Sequence, residues 1–100
     1  VHEPGMLILD EPTTSLDPPG AWNFMGVVRS LMRQGTGVLL VTHDVREISP
    51  EIDRVVLMRK GRILADGKKR EVLRAEHLSA CYGVETAVSW RDGFCEIRPA

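Results

Sequence analysis

Two short, wholly apolar runs, Met6-Leu7-Ile8-Leu9 and Val38-Leu39-Leu40-Val41, limit what this chain can fold into more than any other feature. Each is too short for a buried helix and lacks the polar alternation of a half-exposed strand. Both therefore read as strands covered on two faces, the kind found in parallel sheets. Parallel neighbours need a long crossover, and the sequence between the runs supplies a helix. Asp17-Pro18-Pro19 opens it, an N-capping acid ahead of prolines suited to a first helical turn. Ala21, Met25, Val28 and Met32, flanked by Phe24 and Leu31, then recur at helical spacing and make one broad apolar face. Gly35 ends the helix. Residues 1–42 thus form a β-α-β unit with an expected right-handed crossover. One crossover helix covers only one face of such a pair, so the other face requires further elements.

Beyond this unit the signals change. A short helical segment around Val45 to Ser49 stops at Pro50, and Arg54 to Met58 gives a third strand. Across Arg59-Lys60-Gly61 the chain turns into a fourth strand through Ile63 and Ala65, a hairpin in which Gly61 takes the positive φ and Gly67 closes the strand. Lys68 to Ala75 and Glu76 to Tyr82 read as two short helices, the second capped by Gly83. Val84 to Trp90 and Phe94 to Arg98 flank Asp92-Gly93, a strong local hairpin signal.

With 100 residues, 43% hydrophobic and 27% charged, and a net charge of -1, the chain has the composition of a small globular domain rather than of a disordered or fibrous segment. No apolar run approaches the roughly 18 residues of a membrane-spanning helix, so direct membrane insertion is not expected. Val1 to Gly5 carry no signal-peptide features, and the sequence reads as though it starts within a longer one. Cys81 and Cys95 form neither a disulfide framework nor a metal-ligand spacing, which suits a reducing cytoplasm. Lys68-Lys69-Arg70 has no interleaved aromatics and reads as a solvated helix face, not a nucleic-acid patch. His2 and His77 lack ligand-like neighbours and are read as structural, and Asp44 is read as the N-cap of the short helix after it.

The chemistry gathers where the two parallel strands end, the usual place for ligands in α/β sheets. Asp10 and Glu11 close the first strand, and His43 follows the second. An apolar strand ending in two acids suits a phosphate site, because one carboxylate can hold Mg²⁺ while the other orients an attacking water. Taken alone, the acids also fit a plain turn, His43 fits a strand-end histidine satisfied by backbone, and Asp17 fits a helix cap.

Met6-Leu7-Ile8-Leu9-Asp10-Glu11-Pro12-Thr13 resembles the Walker B segment of the ABC ATPase family, Ser15-Leu16-Asp17 its D-loop, and Val41-Thr42-His43-Asp44 its H-loop. Resemblance continues through Asp53 to Met58 and Gly61-Arg62-Ile63, and covers about residues 4–75. It implies the C-terminal part of an ABC transporter ATP-binding subunit. The fold implied is α/β, a partial P-loop NTPase with parallel core strands and a C-terminal β-hairpin. Residues 1–75 would be the C-terminal part of the ATPase core and residues 76–100 a helix-and-hairpin extension.

Position by position, the resemblance makes Asp10 the Mg²⁺-associated acid and Glu11 the general base or water-orienting carboxylate. It makes His43 the γ-phosphate contact and places Asp17 at the interface where two subunits sandwich ATP. The implied cofactors are ATP and Mg²⁺. The implied partners are a membrane permease and a second ATP-binding subunit, at the inner face of the cell membrane. The sequence departs from the family in having no Gly-x-x-x-x-Gly-Lys-Ser/Thr loop and no Leu-Ser-Gly-Gly-Gln signature. Without backbone N–H groups and a lysine to cradle phosphates, these residues alone are expected to be inactive, and unpaired strand edges are expected to leave them poorly stable. In the family, the strand leading into the missing loop lies between the H-loop strand and the one matching Arg54 to Met58. The ending from Glu71 to Phe94 looks most like importers of metal-chelate, iron-complex or molybdate type. Two alternatives remain: a soluble ABC ATPase of DNA repair or translation, and a non-catalytic remnant that only binds a partner.

Overall fold

A computed structural model describes residues 6–100; the readings made at Val1 to Gly5, including that of His2, lie outside the described residues. The chain divides into two compact units, Val1–Glu47 and Ile48–Ala100.

In the first unit β1 (Met6–Asp10) pairs in parallel with β2 (Gly37–Val41), joined by α1 (Pro18–Arg33), so the expected β-α-β unit is present. Helix α1 starts where the sequence says it should. The Asp17 carboxylate accepts the Gly20 N–H at 2.9 Å, with prolines at the first two helical positions. It ends in a Schellman motif: Gly35 takes φ 95°, its N–H donates to Met32 at 3.1 Å, and Thr36 N–H reaches Leu31 at 3.0 Å. Val28, from the foreseen apolar face, is its buried residue. The two strands differ from expectation in one respect. Leu7, Leu9, Val38 and Leu40 are half-buried, whereas Met6, Ile8, Leu39 and Val41 are exposed. Register pairs Ile8 with Leu39 and Asp10 with Val41, so these exposed side chains share one face. The described residues place no element on it that would bury them.

The second unit holds two antiparallel hairpins and two short helices. Strands β3 (Arg54–Arg59) and β4 (Arg62–Lys68) form the first hairpin, and β5 (Thr86–Arg91) and β6 (Phe94–Pro99) the second. Both turn through two residues of positive φ, Lys60 (51°) with Gly61 (75°), and Asp92 (51°) with Gly93 (83°). Two consecutive left-handed residues give the twist that fits a two-residue hairpin, so Lys60 shares the task the sequence assigned to Gly61. At Leu57/Met58 the register slips, and Leu64 is left as the extra residue of a bulge. Between the hairpins lie α2 (Lys69–Val72), a single turn, and α3 (Ala75–Tyr82), closed by Gly83 at φ 73°. The expected helix from Lys68 to Ala75 is therefore shorter, because β4 runs on to Lys68.

Val72, Leu73, Leu78 and Cys95 form the buried centre of this unit. Burial pushes the Cys95 thiol pKa up. The basic run is not one solvated face. Lys69 Nζ donates to the Ser49 and Pro50 carbonyls at 3.3 Å each, and partial burial holds its pKa down. Arg70 lies 4.3 Å from the Trp90 ring centroid, a cation–π contact. His77 Nδ1 lies 2.9 Å from the Val72 carbonyl, in keeping with its structural reading.

Candidate active site

The end of the parallel pair carries the candidate chemistry, and the ladder itself sets the geometry. Asp10 pairs with Val41, and the Glu11 N–H continues the ladder by donating to the Val41 carbonyl at 2.7 Å. Glu11 and His43 thereby leave neighbouring strands at the same level. Their side chains meet, His43 Nε2 to Glu11 Oε1 at 2.6 Å. Glu11 achieves this with a φ of 46°, a left-handed conformation that is costly for a glutamate and that collects at functional sites. The pair is open to solvent, with His43 92% and Glu11 39% exposed in their side chains.

A shallow depression of about 260 Å³ surrounds the pair, lined by Glu11, Thr13, Thr14, Thr42, His43, Asp44, Arg46 and Glu47. It is open to solvent, so these residues line only one side of any ligand seated there. On the far wall Asp44 acts as the anticipated cap of the 3₁₀ turn Val45–Glu47, accepting the Arg46 N–H at 2.9 Å and the Glu47 N–H on its carbonyl at 3.0 Å. The Arg46 guanidinium closes on the Asp44 carboxylate at 2.9 Å and holds its pKa below the usual range.

Asp10 and Asp17 do not line this depression. Asp10 is exposed at the end of β1, one residue before Glu11, and Asp17 is occupied as the α1 cap. Among the described residues no three His, Cys, Asp or Glu side chains converge to cage a metal. A Mg²⁺ bound with a nucleotide does not need such a cage, since one or two carboxylates, water and phosphate oxygens suffice; the lone strand-end Asp10 fits that donor set.

Glu47 was missed by reading the sequence. Only 7% exposed, it accepts hydrogen bonds from the hydroxyls of both Thr13 and Thr42. A glutamate in a short polar stretch carries no signal of burial. Its one sequence cue is its place within a turn of His43.

No family model matches the sequence. Curated relatives do. The chain is 43% identical over 76 residues to the energy-coupling factor transporter ATP-binding protein of Methanospirillum hungatei, covering 76% of this chain and 19% of that protein. It is 40% identical over 87 residues to the hemin import ATP-binding protein of Pseudomonas aeruginosa, covering 86% of this chain and 34% of that protein. The chain thus spans about a fifth of the length of the first relative and about a third of the second. Among solved structures, an ABC transporter assigned to the metal-chelate type, in an inward-facing conformation, matches 95% of this chain and 39% of its own with a TM-score of 0.78. At 21% identity that match speaks for the fold, which is the α/β fold with a C-terminal hairpin expected from the sequence. Over about three quarters of its length the chain is thus homologous to part of the ATP-binding subunits of ABC transporters.

Proposed function

We propose that the complete protein hydrolyses ATP to drive a membrane permease, and that these residues supply the hydrolytic side of its nucleotide site. The observation that carries the reading is the Glu11–His43 pair, a carboxylate and an imidazole 2.6 Å apart at the ends of two parallel strands. In this reading Glu11 orients and deprotonates the attacking water. His43 holds Glu11 through Nε2 and offers its ring to the γ-phosphate. Asp10 would hold Mg²⁺, which when bound neutralises charge on the phosphates. Asp17, at the N-terminus of α1, would face a second ATP-binding subunit while still capping its helix.

Residues 1–75 would form the ATPase core portion and 76–100 an extension of it. The proposed setting is the cytoplasmic face of a membrane, reached through the permease; no helix among the described residues is long and apolar enough to cross a membrane. The relatives named above serve different transporters, so the reading assigns no cargo. The 100 residues lack the glycine-rich phosphate loop and the Leu-Ser-Gly-Gly-Gln signature, and by themselves would not turn over ATP.

Glu11→Gln in the complete subunit tests the core of this proposal. The amide keeps shape and hydrogen bonding but cannot take a proton, so turnover falls by about 10²–10⁴-fold while ATP binding persists. Turnover at the wild-type rate would remove Glu11 from the chemistry.

A further inference from the structure

Two loops, one after β1 and one after β2, must stand at a fixed separation for Glu11 and His43 to meet. Backbone pairing ends at Glu11, whose N–H makes the last ladder bond to Val41. Beyond it, Glu47 adds a side-chain link between the loops. Its Oε2 accepts the Thr13 hydroxyl, two residues after Glu11, and its Oε1 accepts the Thr42 hydroxyl, the residue before His43. One carboxylate thereby spans the two segments that carry the pair.

Each half of this bridge is itself held. The Thr42 oxygen that donates to Glu47 also accepts the Asp44 N–H at 2.9 Å, which fixes its rotamer. Asp44 and Arg46 lock the 3₁₀ turn from which Glu47 projects, through the backbone bond at 2.9 Å and the guanidinium contact at 2.9 Å. Hydroxyl-to-carboxylate bonds are charge-assisted and about twice as strong as neutral ones. Because Glu47 is 7% exposed, water cannot readily replace a lost partner.

We propose that Glu47 is a positioning residue for hydrolysis, setting the approach of Glu11 and His43 by bridging Thr13 and Thr42. This rests on the ATPase reading of that pair and deepens it. A bridge of this kind acts on the reacting geometry, not on nucleotide affinity, for which the phosphate loop is responsible. Displacements near 1 Å can cost up to about a hundredfold in rate, so the expected losses lie at about ten- to a hundredfold.

The test uses the complete subunit with its permease, reading kcat, KM for ATP and the thermal midpoint, with Glu11→Gln run alongside. Glu47→Ala should lower kcat about ten- to a hundredfold with KM little changed. Glu47→Gln, which can accept one hydroxyl and donate to the other, should recover most of that loss. Removing both hydroxyls in Thr13→Val/Thr42→Val should reproduce the Glu47→Ala loss, and adding Glu47→Ala to that double variant should cost nothing more.

Wild-type kcat in Glu47→Ala, losses that multiply in the triple variant, or a change confined to KM or the thermal midpoint would each overturn the proposal. Should Glu47→Ala fail to fold, Thr13→Ser and Thr13→Val decide from the other end of the bond. Ser keeps the hydroxyl and wild-type kcat while Val loses it, and equal rates for the two overturn the bridge. If Glu11→Gln abolishes turnover while Glu47→Ala leaves it intact, only the role of Glu47 falls. If Glu11→Gln turns over normally, the reading of the site and the inference fall together.

Discussion

His43 presents 92% of its side chain to solvent and is tethered to the site by its contact with Glu11. Exposed ion pairs contribute little to stability, commonly within about 1 kcal/mol. A ring that stabilises little but, in the proposed role, touches the reacting phosphate should separate folding from catalysis when it is removed. His43→Ala in the complete subunit is expected to leave the thermal midpoint nearly unchanged and to lower kcat by about 10²–10³-fold, the loss typical of one deleted transition-state contact. Steady-state kinetics and a melting curve on the same preparation check both halves. Wild-type turnover would end the γ-phosphate role of His43. The residues of this pair were legible in the sequence because they follow uninterrupted apolar runs, which fix where the strands stop. Glu47 was not, since its burial depends on Thr13 and Thr42 arriving from two separate loops, a property of the closed structure that no local spacing encodes. Lys60 escaped for a related reason, as its φ of 51° is imposed by the hairpin and not preferred by the residue.

Among the elements, α1 shows how tightly a cap can constrain its neighbours. Gly20 donates its N–H to Asp17, and a Cβ built on Gly20 would stand 2.7 Å from the Asp17 Oδ1 that receives it. Alanine normally improves a helical glycine site by up to about 1 kcal/mol. Here that gain meets the loss of a cap, a cost of roughly 0.5–2 kcal/mol. Gly20→Ala should therefore be neutral or destabilising in the wild-type subunit, yet stabilising in an Asp17→Ala background, where the clash is gone. Urea denaturation of the two single variants and the double variant reads the sign change. Simple additivity would mean that Asp17 swings aside without cost. Both ends of this helix were legible, because prolines, an acid and a glycine act locally. The division between α2 and α3 was less so, because the length of β4 is decided by pairing with β3, not by its own sequence.

At the scale of the molecule, the first unit is defined by what its sheet leaves uncovered. Met6, Ile8, Leu39 and Val41 are 69%, 67%, 54% and 49% exposed on one face of a two-stranded parallel pair. Fully burying a side chain of this size is worth about 1.5–3 kcal/mol, so covering the four would add several kcal/mol. That is a large share of the roughly 5–15 kcal/mol by which a whole domain is stable. Parallel pairs occur almost only where both faces are covered, and the sequence foresaw that one crossover helix would not suffice. The outer edges of β1 and β2 compound the deficit, since no third strand among the described residues pairs with them. A polypeptide of these 100 residues made alone should therefore melt without a sharp cooperative transition and self-associate through this face. Circular dichroism on heating and sedimentation velocity over a range of concentrations would show both effects. A monomer that unfolds reversibly in one sharp step would mean instead that these residues stand without further elements. Replacing Ile8 and Leu39 by Thr separates the causes: lower self-association with no gain in cooperativity identifies the apolar face as the sticky surface and leaves the open strand edges as the source of instability.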